Sequence, residues 1–356
     1  MSSSLFSHGK QVRVLVVDDT QFYRALLSGI LSDHGGFVVV GTAVDVPDAR
    51  EKIKSLNPDV VTLDIEMPGM NGLDFLEKIM ALRPTPVVIV STLSGPGTDI
   101  AVHALQLGAV DCVGKPAADK VSPEAMDGFA STYIEAVLSA AQASVRALRH
   151  SPKTKALIES RPQAHMHSTK LIAIGSSTGG VEALTSILCQ LPPECPPIVI
   201  AQHMPAGYTH SFATRLSMIC AINVREASDG LPLSNGMAVV APGGQHMKIA
   251  AGRSGFVAKI SDEAPVNRHK PSVDVLFASI ARFAAAKTLG IILTGMGSDG
   301  AQGLLDLRKE GAYTVAQNKD SCVVYGMPKS AVQLGAVDEE ASLDEMPHVI
   351  IRRCFA

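Results

Sequence analysis

Five residues in the first third of the chain have the types that phosphoryl chemistry needs. Asp18 and Asp19 follow the apolar run 12–17, Asp64 lies near the end of 59–65, Ser91 follows 86–90, and Lys115 follows 109–113. If these runs are parallel strands, all five converge at the strand carboxyl ends, where open α/β sheets bind ligands. Three carboxylates crowded together repel and resist ionising, so the set is sensible around a divalent cation. All-oxygen ligands favour Mg²⁺. Lys115 offers a point charge for a phosphoryl oxygen, Ser91 offers a hydroxyl, and Asp64 is the central candidate to accept a phosphoryl group as an aspartyl phosphate. Asp18 and Asp19 alone would read as caps of a helix starting near residue 20; the set of five would not.

A second group lies beyond residue 169. Gly175-Ser176-Ser177-Thr178-Gly179 follows the strand-like LIAIG and precedes a helical pattern. It fits G-x-S-x-G, which exposes a serine hydroxyl, here Ser177, at a sharp strand-to-helix elbow. The competing reading is a phosphate or dinucleotide loop, but G-x-x-x-x-G-K and G-x-G-x-x-G are both absent. A nucleophilic serine needs a base, and the base needs an orienting acid. His203 comes just after the strand-like IVIAQ, and Asp299 sits in the Gly-rich turn after LGIIL. Parallel strands would bring both to the edge that carries Ser177. His246 and His269 are alternative bases, and Asp299 can also be read as a helix N-cap.

The elements that must position these groups are legible as alternation. Runs 12–17, 37–40, 59–65, 86–90 and 109–113 read as strands, and 21–34, 47–56, 72–82, 98–107 and 122–148 as helices. This predicts an α/β, doubly wound (flavodoxin-like) domain. Strands at 171–175, 198–202, 237–242, 289–295 and 313–317, with helices from about 180 and over 207–220, 272–286 and 300–310, predict a second parallel-sheet α/β hydrolytic domain. The polar stretch between them reads as a linker. The expected domains are 11–130, then a helix extension and linker over 131–168, then 169–356.

Composition narrows the function classes. With 46% apolar and 18% charged residues, the 356-residue chain has material for two buried cores. Net charge is −3, which gives no electrostatic reason to expect nucleic acid. The basic residues Arg146, Arg149, Lys153, Lys155, Arg161 and Lys170 read as a solvated linker. A DNA-binding output domain would need a basic recognition helix, and the second half has none. Six scattered cysteines without C-x-x-C spacing point to reduced thiols rather than zinc or a disulfide framework. Neither a secretory signal nor a ~20-residue apolar span is evident, so a cytoplasmic protein without direct membrane insertion is expected.

VLVVDDT, LDIEMPGMNG, VST and GKP closely resemble the motifs of bacterial response-regulator receiver domains over about residues 11–130. That resemblance implies phosphorylation at Asp64, an Mg²⁺ site from Asp18, Asp19, Asp64 and the Glu66 carbonyl, and phosphate contacts from Ser91 and Lys115. Receivers usually carry an aromatic residue where Cys112 stands, which puts the usual aromatic switch in doubt. IGSSTGG, QHMP, VNRHKPSVDVLF, ILTGMGSDG and SCVVYGMP resemble the catalytic domain of the chemotaxis protein-glutamate methylesterase (CheB) family over most of 169–350. The family resemblance implies Ser177 as nucleophile, His203 as base, Asp299 as orienting acid, and oxyanion donors at Met296 and Thr178. Ser176 stands where the family more often has alanine. The implied activity is phosphorylation-regulated hydrolysis of glutamate methyl esters, and deamidation of glutamines, on chemoreceptors. A chemotaxis histidine kinase is the implied phosphodonor; the esterase step is expected to need no cofactor. The order receiver, linker, esterase further suggests that the unphosphorylated receiver inhibits the esterase.

Overall fold

The β-branched runs of the N-terminal half form the five parallel strands that their composition predicts. In the computed structural model, which describes residues 11–67, 72–92, 96–116, 122–144, 170–253 and 255–355, the chain divides into two units, Met1–Arg149 and His150–Ala356. The first unit contains β1 (Val12–Val17), α1 (Gln21–Asp33), β2 (Phe37–Ala43), α2 (Val46–Leu56), β3 (Val60–Leu63), α3 (Gly72–Leu82), β4 (Val87–Thr92), α4 (Pro96–Gln106), β5 (Asp111–Lys115) and α5 (Pro123–Gln142). Strand order is β2-β1-β3-β4-β5, all parallel. Helices on both faces explain why Val14–Val17, Val60, Val61 and Leu63 are almost wholly buried, as parallel strands require. Local chemistry sets the helix limits. Asp45 caps α2 by accepting from the Asp48 N–H, and Asn57 ends it in a left-handed conformation at φ 46°.

The second unit contains β6 (Leu171–Ser176), α6 (Gly180–Leu188), β7 (Ile198–Gln202), α7 (Tyr208–Ile219), β8 (Asn223–Glu226), β9 (Met237–Val240), β10 (His246–Gly252), β11 (Gly255–Ser261), α8 (Val273–Ala281), β12 (Thr288–Ile292), α9 (Ala301–Lys309), β13 (Tyr313–Gln317), α10 (Met327–Gln333), β14 (Glu339–Ala341) and α11 (Met346–Phe355). Seven parallel strands run in the order β14-β13-β12-β6-β7-β9-β8, with an antiparallel β10–β11 hairpin beside them. One core cluster joins Leu171, Val199 and Ile292 of the sheet to Leu276, Phe277 and Ile280 of α8, Leu304 and Leu307 of α9, and Met247 and Ile249 of β10.

Several boundaries differ from the pattern-based expectation. The fifth strand begins at Asp111 and ends at Lys115, because the N–H groups of 107–109 still bond back to α4. The helix expected over 122–148 ends at Gln142. The expected linker, with all of its basic residues except Lys170, lies outside the described residues. Strand β8, the β10–β11 hairpin, α10, β14 and α11 were not anticipated.

Candidate active site and phosphoacceptor site

In the first unit the acidic cluster forms at the carboxyl ends of β1 and β3. Asp18, Asp19 and Asp64 each offer an oxygen within 4.8 Å of the others. Lys115, at the end of β5, lies 2.5 Å from Asp64 Oδ2 and 2.8 Å from Asp18 Oδ2. Asp18, Asp64 and Lys115 are all buried. Burial raises the Asp18 carboxyl, and the Lys115 contact only partly offsets this. Burial would lower Lys115, but the two carboxylates outweigh it and hold the ammonium above its ordinary value. A divalent cation with all-oxygen ligands would relieve the carboxylate crowding, so the donor set fits Mg²⁺. Ser91 is fully buried, and its hydroxyl has no hydrogen-bond partner among the described residues. An unsatisfied buried hydroxyl is costly, which fits a donor waiting for a phosphoryl oxygen. Glu66 donates its N–H to Asp64 Oδ1 at 3.0 Å, fixing that carboxylate from the chain side. Cys112 is buried, and burial pushes its thiol well up. The aromatic group near Lys115 is instead Tyr23 of α1, whose ring lies 4.4 Å from Lys115 Nζ and whose hydroxyl donates to Pro116 O.

In the second unit, strand register sets the serine and histidine at the ends of neighbouring strands, without a hydrogen bond between their side chains. β6 and β7 are parallel, and their last paired residues are Ser176 and Gln202. Ser177 and His203 are therefore the next positions on adjacent strands, which run about 4.8 Å apart. The main chains are stitched at that point. His203 donates its N–H to Ser176 O at 3.1 Å. The Gln202 amide donates to Ser177 O and His203 O, both at 3.0 Å. On the other side, Ser177 donates its N–H to Thr294 O, in the loop after β12. A side chain at Gly295 would place its Cβ 2.6 Å from Ser177 Cβ, so only glycine allows this approach. The elbow itself turns at Gly179, φ 78°, a conformation glycine adopts without strain.

The two adjacent serines have different environments. Ser176 is fully buried and donates to Gln202 Oε1 at 2.7 Å. Ser177 is half-buried, and its hydroxyl is not bound to another described residue.

His203 Nε2 lies 2.8 Å from Asp299 Oδ2, while its buried Nδ1 has no partner among the described residues. Asp299 is 2% exposed and also accepts from the Asn267 amide, the Ser272 hydroxyl and the Val273 N–H, at 2.8, 2.8 and 2.6 Å. Burial would raise this carboxyl, but His203, Asn267 and Val273 together hold it well below the usual carboxylate range. It therefore stays an acceptor. The alternative histidines serve otherwise. His246 is fully buried with both ring nitrogens engaged, Nδ1 by the Ser272 N–H and Nε2 by Ala264 O. His269 stacks on His203. Thr178 is buried and its carbonyl accepts from the Thr294 hydroxyl; Met296 is half-buried in the loop after β12.

The positions that sequence reading missed are Gln202, Asn267 and Ser272. They bond to main chain or to a carboxylate distant in sequence, so no spacing pattern announces them. The only local signal was the polar run VNRHKPS ahead of α8, in which Asn267 and Arg268 adopt positive φ.

Known proteins match both units. A family model for the CheB methylesterase matches residues 172–350, and one for the response regulator receiver domain matches 14–126. The protein-glutamate methylesterase/protein-glutamine glutaminase of Paraburkholderia xenovorans is 48% identical over 355 residues, covering 97% of each chain. Its counterpart 1 from Caulobacter vibrioides is 52% identical over 342 residues, covering 96% of this chain and 97% of that one. The crystal structure of the Thermotoga maritima CheB methylesterase catalytic domain superposes with a TM-score of 0.51 at 36% identity, covering 52% of this chain and 98% of that one.

Proposed function

This chain belongs to the CheB methylesterase family, and on that premise we propose that it hydrolyses glutamate methyl esters on chemoreceptors, and deamidates receptor glutamines, under control of its receiver domain. The functional boundaries we assign are 11–130 for the receiver, 131–168 for the extension and linker, and 169–356 for the esterase. The relatives' names support the reaction. The observation that carries the residue assignment is the His203–Asp299 hydrogen bond, with Ser177 and His203 each one position past the last β6–β7 register pair and His203 Nδ1 left unpartnered.

In this reading Ser177 is the nucleophile. His203 takes its hydroxyl proton as the oxygen attacks the ester or amide carbonyl. Asp299 holds the ring through Nε2 and balances the imidazolium, so Nδ1 is the proton-accepting nitrogen. Oxyanion charge falls to N–H donors at Met296 and Thr178. His203 then returns the proton to the leaving methanol or ammonia. A water deprotonated by the same ring resolves the acyl-enzyme. Removing one oxyanion donor typically costs ~10²–10³ in rate.

In the receiver, Asp64 accepts the phosphoryl group from a chemotaxis histidine kinase. Lys115 and Ser91 engage phosphoryl oxygens. Asp18, Asp19, Asp64 and the Glu66 carbonyl would hold Mg²⁺, which would supply positive charge beside the phosphoacceptor. Phosphorylation adds nearly two negative charges, and tenfold activation needs only ~1.4 kcal/mol of bias. Among the described residues no helix is long and apolar enough to cross a membrane, and we assign the chain to the cytoplasm. The test is methanol release from a methylated receptor, with and without a phosphodonor, by wild type, Ser177→Ala and Ser176→Ala. Loss confined to Ser177→Ala supports the reading, and an unimpaired Ser177→Ala enzyme refutes it.

A further inference from the structure

Two thiols that play no part in the proposed reaction touch each other at the ends of neighbouring helices. Cys189 follows α6 and Cys220 follows α7, and their sulfurs are 3.4 Å apart. Of the other cysteines, Cys112, Cys195, Cys322 and Cys354 are buried, whereas Cys189 and Cys220 are both half-buried. The end of α7 is open to solvent: Met218 is 78% and Ile219 51% exposed. Small oxidants therefore reach this pair before the rest.

We propose that Cys189 and Cys220 form a peroxide-oxidisable dithiol that closes to an intramolecular disulfide. A disulfide needs the sulfurs at about 2.0 Å, so closure requires a movement of roughly 1.4 Å. Side-chain rotation at two helix ends can supply it.

The chemistry also gives an order of events. Thiolates, not thiols, attack oxidants. The contact with Cys220, in which either sulfur can donate, lowers the Cys189 thiol, whereas the same contact together with burial pushes Cys220 well up. Cys189 Sγ therefore loses its proton and attacks one oxygen of hydrogen peroxide. The O–O bond breaks, leaving Cys189 as a sulfenic acid and releasing hydroxide, which takes up the proton as water. Cys220 then loses its proton and attacks Cys189 Sγ, forming the S–S bond and expelling a second hydroxide, protonated to water. Two thiols together lose two electrons and two protons, and one peroxide becomes two waters. A small dithiol reductant reverses the bond by thiol exchange.

Geometry also says what the bond would join. α6 begins at Gly180, three residues after Ser177, and α7 at Tyr208, five residues after His203. The disulfide would tie together the far ends of the two helices that start beside the proposed nucleophile and base.

The test is oxidation of the native full-length chain with a small excess of hydrogen peroxide, followed by alkylation, digestion and mass mapping. The expected result is loss of two of six titratable thiols, a crosslinked peptide joining Cys189 to Cys220, and recovery of all six with dithiothreitol. In Cys220→Ser the expected product is a dimedone-trapped sulfenic acid on Cys189. The proposal is overturned by six retained thiols, by a disulfide joining other cysteines or separate chains, or by sulfinic acid at Cys189 in the wild type without the crosslink. Mapping on the wild type needs no variant to fold, so it decides the matter even if Cys220→Ser does not accumulate.

Discussion

His203 and His269 lie face to face, ring centroids 3.7 Å apart and 9° from parallel. Burial, its largest cause, lowers the His269 imidazole to about 4. At neutral pH it is therefore an uncharged plate against the ring proposed to become an imidazolium. An aromatic face beside a cation is favourable, and a flat neighbour restricts ring rotation. His269→Ala should lower kcat by about tenfold with little change in KM, and His269→Phe should recover most of the loss. Equal kcat values for the alanine variant and wild type would contradict a positioning role.

The same group gives a pH prediction. Its folded value of about 4 lies below the ordinary 6.5, so between those values the unfolded chain binds the extra proton. Stability then falls as pH drops from about 6.5 towards 4. Glu182, which burial raises to about 8 from 4.5, acts with the opposite slope, losing stability as pH rises through that interval. The His269 contribution is therefore read as a difference. Wild type should lose on the order of 2 kcal/mol more than His269→Phe between pH 7 and 4. Parallel denaturation curves at both pH values would disprove it.

The two serines should separate cleanly. Ser177→Ala should abolish labelling by a fluorophosphonate and reduce turnover by at least about 10³-fold. Ser176→Ala should keep the label, because the Ser176 hydroxyl is committed to Gln202. It should lose about 1 kcal/mol of stability from the orphaned Gln202 Oε1. A label that moves to residue 176 or persists in Ser177→Ala would show the wrong oxygen was chosen.

The ring around Asp299 predicts a graded series. Asp299→Asn removes the charge while keeping the shape, and should cost about 10²–10⁴ in kcat. Asn267→Ala removes one of the hydrogen bonds to Asp299 and one to Asp274, and should cost about tenfold. Steady-state methanol release measures both. A larger loss from Asn267→Ala than from Asp299→Asn would place the function elsewhere.

For the receiver, Mg²⁺ should raise the melting temperature of the N-terminal unit. The linkage amounts to about 2.7 kcal/mol at a hundred times the dissociation constant. Asp18→Asn should weaken this effect, and excess EDTA should reverse it. Calorimetry with and without Mg²⁺ tests the assignment, and a melting point indifferent to the ion would remove Asp18, Asp19 and Asp64 from that role.

Most of the sheet architecture was readable because both sheets are built from buried β-branched runs between helical patterns. VVTL, IVIAQ and TLGII announce themselves this way. Asn223–Glu226 (NVRE) and Glu339–Ala341 (EEA) did not, because they are edge strands, short and partly solvated, and register with a neighbour rather than composition makes them strands. The β10–β11 hairpin escaped because Lys248, Lys259 and several small residues interrupt any apolar run. At the rim of the second sheet, Ser177, His203 and Asp299 were visible as punctuation after strands. The stacking of His269 was not, since it depends on a loop with two positive-φ residues.

The Gln202 amide clasps the carbonyls of residues 177 and 203 at once. Bending of the surrounding sheet therefore carries the residues proposed as proton donor and acceptor along together, as two rungs nailed to one crosspiece. On the proposed mechanism, the main-chain spacing on which turnover would depend is held by that one amide. If the receiver is phosphorylated as proposed, the signal should consequently act on binding of the proposed substrate, seen in KM, and leave kcat largely alone.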